Sequence, residues 1–91
     1  MKKEWIETEN VLQKTFEFAD FSEALAFVNK VGALAEEVQH HPDICIKDYR
    51  TVTIATTSHD AGNIVTDKDR VLAALIDDRA LQQEEERPEP F

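Results

Sequence analysis

His40, His41 and His59 are the three histidines of a 91-residue chain, and imidazole is the side chain best matched to moving protons near neutral pH. His40 and His41 stand side by side in front of Pro42, and His59 follows Ser58. General acid–base chemistry is open to them if the fold brings them together. Other readings compete for the same residues. Three histidines can hold zinc, but ligands at i and i+1 point in different directions, and neither HExxH nor a Cys/His spacing accompanies them. Ser58 adjoins His59, yet neighbours along a strand face opposite sides and no GxSxG elbow surrounds the serine. With two glycines in the whole chain, a glycine-rich phosphate loop is lacking. The plainest alternative is structural: a helix end suits His40 and His41, since the dipole favours a charged imidazole there and a proline then stops the element. His59 alone is equally at home in a turn.

The elements that would position these residues can be read from periodicity. Leu12, Phe16 and Phe18 alternate with Gln13, Thr15 and Glu17, the period of a half-buried strand over 11–18. Asp20-Phe21-Ser22-Glu23 resembles a capping box, and Ala24, Val28, Val31, Leu34/Ala35 and Val38 recur at helical spacing through to Gln39. Pro42 closes that helix, so His40 and His41 fall at its carboxyl end. Ile44 and Ile46, then Val52 and Ile54, mark two more strands. Ser58 to Asn63 is turn chemistry, and Thr66-Asp67-Lys68-Asp69 predicts a second helix start, with Val71/Leu72 and Leu75/Ile76 on one face to about Ala80. Asp69 needs no more than that capping role to account for it. A short strand over Trp5 to Thr8 would complete the sheet. The order predicts an α+β fold of two layers, a four-stranded antiparallel sheet with the helices packed on one face. Residues 1–82 form the single domain expected, and 83–91 an acidic, frayed tail.

Composition narrows the function. The length suits one domain, and a core this small makes self-association a natural way to bury more surface, so a homo-oligomer is expected. Apolar content of 42% and charged content of 32% are those of a soluble globular protein, with no window of the length a membrane span needs. No apolar leader opens the sequence, which predicts a cytoplasmic protein, and the single Cys45 has no partner for an internal disulfide. A net charge of −9 disfavours direct binding to nucleic acid or anionic membranes.

The run Glu36-Glu37-Val38-Gln39-His40-His41-Pro42, then Tyr49, Val52-Thr53-Ile54, Ser58-His59 and Asp69, resembles the signature of the pterin-4a-carbinolamine dehydratase family. In that signature an acidic residue precedes His-His-Pro by a fixed gap, an aromatic follows, a third histidine lies ten residues further on, and an aspartate closes the pattern. Trp5, Phe16-x-Phe18, Ala24, Phe27 and Ala35-Glu36 extend the likeness to most of the chain. It departs from the family at Ser58, where threonine is usual, in the turn Ala61-Gly62-Asn63-Ile64-Val65, and by one extra residue before Tyr49 and another before Asp69. The family's helix ahead of the Trp5 position has no counterpart in the four residues preceding it, which bears on whether the oligomer is a dimer or a tetramer.

The resemblance implies dehydration of 4a-hydroxytetrahydropterin to quinonoid dihydropterin, with no metal or other cofactor, because the ring nitrogen's own electron pair expels the hydroxyl group. It implies His40 and His59 as acid and base flanking the pterin and His41 holding the substrate, with Glu36, Asp43, Ser58 and Asp69 as substrate-binding residues. Tyr49 and Trp5 are expected as core or interface aromatics. Some relatives of these enzymes act instead as coactivators or assembly factors, and those specialised for assembly tend to lose the histidines that this chain keeps. A protein partner is thus the alternative to a small-molecule substrate.

Overall fold

In a computed structural model that describes residues 4–8 and 10–86, with the backbone alone for 84–86, the strongest alternation in the sequence becomes the centre of a sheet. β2 (Leu12–Glu17) and β4 (Thr51–Thr56) pair antiparallel, with Phe16 opposite Val52 and Leu12 opposite Thr56. β1 (Ile6–Glu7) and β3 (Asp43–Lys47) flank them, so the order among the described residues is β1-β2-β4-β3, antiparallel throughout. Helices α1 (Phe21–Val38) and α2 (Asp67–Glu86) cover the face that carries Phe16, Phe18, Val52 and Ile54. This is the two-layer α+β arrangement that the element order predicts.

Phe27 of α1 lies at the middle of the core, its ring 4.9 Å from that of Phe16 and 5.0 Å from that of Phe18. Ala24, Val31 and Leu34 continue its stripe, and Leu72 and Ile76 arrive from α2. The helical stripe therefore runs through Phe27, while Val38, which the spacing also suggests, is exposed at the last turn. Trp5 packs edge-on to Phe16 and donates its indole N–H to Asp77 Oδ1 at 3.0 Å. The same oxygen takes Lys14 Nζ at 2.8 Å, which ties the front of the sheet to α2. Tyr49 takes no part in the core: it sits in the β3–β4 turn, exposed, with φ of 54° beside Asp48 at 50°.

Local chemistry sets the ends of α1. Asp20 is its N-cap, accepting Glu23 N–H at 2.8 Å, while Glu23 reaches back to the Ala19 N–H. Such a cap contributes about 1 kcal/mol. At the other end Gln39 adopts a left-handed conformation, and the His40 N–H bonds to Ala35 O at 3.1 Å, closing the helix as a Schellman turn does. Helix α2 runs beyond the expected stop near Ala80, through Gln82 and Gln83 to Glu86. Gln83 is buried and donates Nε2–H to Glu23 O at 2.9 Å, so α2 continues because α1 offers its amino-terminal carbonyl as a partner. The acidic stretch is thus helical to residue 86, and 87–91 lie outside the described residues. The two helices are antiparallel, so the start of α2 meets the end of α1, where His40 is.

Candidate active site

The buried face of β4 reads Val52, Ile54, Thr56 and then, beyond the strand, Ser58. The stripe turns from apolar to polar at Thr56 without becoming exposed. A buried hydroxyl needs a partner, and here both find one carboxylate. Asp69, the third residue of α2, is fully buried. Its Oδ1 accepts from Thr56 Oγ1 at 2.6 Å and from His40 Nε2 at 2.6 Å. Its Oδ2 accepts from Ser58 Oγ at 2.7 Å and from the Thr66 backbone N–H at 2.9 Å. Burial alone would push the carboxyl up, but the bonds from Thr56, the Thr66 amide, His40 and Ser58 outweigh it and hold its pKa at about 2.

An anionic Asp69 can only accept, and the hydrogen positions follow from that. Ser58 gives its proton to Asp69 and accepts from Thr66 Oγ1 at 2.6 Å. The capping box expected at Thr66 is therefore half formed: the Asp69 carboxylate caps the Thr66 N–H, while the Thr66 hydroxyl turns to Ser58 instead of the Asp69 N–H. His40 presents Nε2–H to the carboxylate. In the neutral ring this leaves Nδ1 bare as a base; in the charged ring it makes Nδ1–H an acid. The His40 side chain keeps 13% of its surface exposed, so the ring is anchored at one nitrogen without being sealed in.

His41 and Glu36 form a second, separate pair on the surface, the imidazole Nε2 against Glu36 Oε2. Helical spacing places Glu36 under His40, four residues on, but the helix ends at Val38 and left-handed Gln39 swings His40 towards α2. That rotation hands Glu36 to His41. His59 opens a short 3₁₀ turn (His59–Ala61) directly after Ser58 and is exposed. Its Nδ1 lies 2.6 Å from Asn63 Oδ1; the carbonyl accepts, so Nδ1 carries the hydrogen and Nε2 of the neutral ring is left as the base. Asn63 is held for this by a left-handed backbone (φ 61°) after Gly62, and by its N–H on Ser58 O at 3.0 Å. Asp60, next to His59, is held below the usual carboxylate range by the hydrogen bond and charge of Lys68, and the charge of His40 adds to this.

Of the residues singled out in the sequence, His40, Ser58 and Asp69 meet in one network. Glu36 and His41 meet in another, and His59 sits on the turn leaving Ser58. Asp43 is exposed at the start of β3 and takes no part in either network. Thr56 escaped the sequence reading, and Thr66 and Asn63 entered it only as a helix start and a turn residue. For Thr56 the signal was present, since it continues the alternation of Val52 and Ile54 onto the buried face; Asn63 lay in plain sight four residues after His59. Among the described residues no three His, Cys, Asp or Glu side chains converge to hold a metal ion, and no helix is long and apolar enough to cross a membrane.

Comparison with known proteins bears on the identity of this arrangement. Residues 1–79 match the family model described as pterin 4 alpha carbinolamine dehydratase. A protein of Sulfurisphaera tokodaii, provisionally named a pterin-4-alpha-carbinolamine dehydratase, is 50% identical over 76 residues, 84% of this chain and 80% of that one. A Chloroflexus aggregans protein of the same provisional name is 49% identical over 78 residues, 85% of this chain and 81% of that one. Among solved structures, a transcriptional coactivator/pterin dehydratase from Brucella melitensis superposes with a TM-score of 0.73 at 27% identity, covering 86% of this chain and 81% of that one. A pterin dehydratase-like protein described as a RuBisCO assembly factor in the alpha-carboxysome gives 0.68 at 26% identity, covering 88% and 90%. With the family model matching most of its length and relatives at about half identity, this chain belongs to the pterin-4a-carbinolamine dehydratase family.

Proposed function

We propose that the protein is a hydro-lyase that removes water from 4a-hydroxytetrahydropterin, with His40 and His59 as its proton-transfer groups. The observation that carries this reading is the pairing of His40 with a buried, ionised Asp69. One ring nitrogen is committed to the carboxylate, and the other is left to act as base or acid. In the reaction the bond from carbon 4a to oxygen breaks, the oxygen leaves with an added proton as water, a ring nitrogen gives up a proton, and a carbon–nitrogen double bond forms. One acid and one base near neutral pKa suffice, and the proton account closes without a further reactant. Nδ1 of His40 and Nε2 of His59 are the atoms that serve. The exposed His41, in the same His-His-Pro segment and paired with Glu36 of α1, contacts the substrate. Asp69 and Ser58, whose polar atoms are taken up by each other and by Thr56, Thr66 and, for Asp69, His40, act through His40 and not on the pterin.

A stopped-flow assay of freshly generated 4a-hydroxytetrahydropterin tests the reading. His40→Ala should lower kcat by about 100-fold or more, the usual scale for losing a general acid or base, and His59→Ala should do likewise. Full activity in both variants would remove the histidines from the mechanism. A second reading, a partner-binding role without catalysis, is favoured by the structural neighbour described as a RuBisCO assembly factor. It becomes the better one if correctly folded wild type fails to accelerate dehydration.

A further inference from the structure

We propose that Thr56 is a positioning residue for His40, orienting the Asp69 carboxylate so that the imidazole is held in its Nε2–H form. The inference rests on the assignment of His40 to proton transfer. Thr56 is 1% exposed and lies on the buried face of β4, directly after Val52 and Ile54 on that face. An aliphatic side chain would fill such a position without the cost of burying a hydroxyl. The hydroxyl has one partner, Asp69 Oδ1, and it is the same oxygen that receives Nε2–H of His40. Ser58 and the Thr66 amide draw on the other oxygen alone. Without Thr56 three donors remain, two of them on Oδ2, and nothing on the strand opposes rotation of the carboxylate away from His40. Threonine suits the task, since its branched side chain is stiff at χ1 and the central strand fixes its backbone.

The test pairs Thr56→Val, which keeps the shape and removes the donor, with Thr56→Ser, which restores it. Imidazole nitrogen shifts, measured by NMR at a pH where His40 is neutral, report its tautomer whether or not the protein turns over any pterin. The wild type and Thr56→Ser should show Nε2–H alone, and Thr56→Val a mixture with Nδ1–H. In the dehydration assay Thr56→Val should lose kcat by about 10-fold at unchanged KM, the scale seen when a group that orients a functional histidine is removed, and Thr56→Ser should recover it. If Thr56→Val does not fold, Thr56→Ala takes its place. A folded variant lacking the hydroxyl, with wild-type tautomer and kcat and merely a lower Tm, overturns the proposal. A tautomer shift in a protein whose wild type has no dehydratase activity upholds the positioning and overturns the substrate reading instead.

Discussion

Two regions lie under the same pair of helices and are fed by the same strand, yet they are built on opposite terms. Around Phe27 the contacts are aromatic and aliphatic and have no direction; around Asp69 there are four directed bonds to one carboxylate. Along β4 the change takes one step, from Ile54 to Thr56. The apolar region holds the layers together and tolerates apolar side chains of about the right volume. The polar region loses its balance if a single donor or the acceptor is removed, since a buried group left unpaired costs more than the bond contributed. The cohesion of the layers thus centres on Phe27 and the proton chemistry on Asp69, although no gap in the structure separates them.

The largest effect is expected of Phe27→Ala. It should cost about 3–5 kcal/mol in urea unfolding, the range for deleting a buried ring, while the folded fraction keeps its kcat. A large fall in kcat of folded protein would mean that the apolar region also shapes the site. The next effect belongs to Asp69 and to acid. Its folded pKa of about 2 lies below the ordinary carboxylate value of 3.8, so the unfolded chain takes up the proton first. The stability that the ionised carboxylate contributes is present in full above the unfolded value and is lost as pH falls from about 4 through 2, roughly 2 kcal/mol in all. Unfolding curves of wild type and Asp69→Asn should therefore draw together by that amount between pH 5 and pH 2; a constant gap would place the carboxylate outside the network described. The smallest effect is expected of Glu36→Ala. An exposed ion pair contributes at most about 1 kcal/mol, so Tm should move little, and a modest rise in KM with unchanged kcat would place His41 at the substrate.

Much of the fold was legible because its signals are local. Alternation over 11–18 and 51–55, the Asp20 cap and the Pro42 stop each act within a few residues, and each element appears within a residue or so of where the pattern puts it. The end of α2 was not legible, because its partner, the Glu23 carbonyl, is 60 residues away in sequence. The partner of Glu36 was not legible for a related reason. Helical spacing aligns it with His40, and only a left-handed Gln39, a conformation no local signal announces for glutamine, redirects it to His41.

Residue type and spacing sufficed for the α+β class and for the three histidines as the groups of interest, while the family likeness added the Asp69 position. The tertiary structure alone decided that His40 is the histidine joined to a buried carboxylate, that Ser58 and Asp69 face each other, and that Thr56 supplies a further donor. A carboxylate held at about 2 while fully buried is the sum of four bonds from β4, the end of α1 and the start of α2. No stretch of sequence contains more than a part of that sum, so the chemistry of the site exists only once the layers have closed over it.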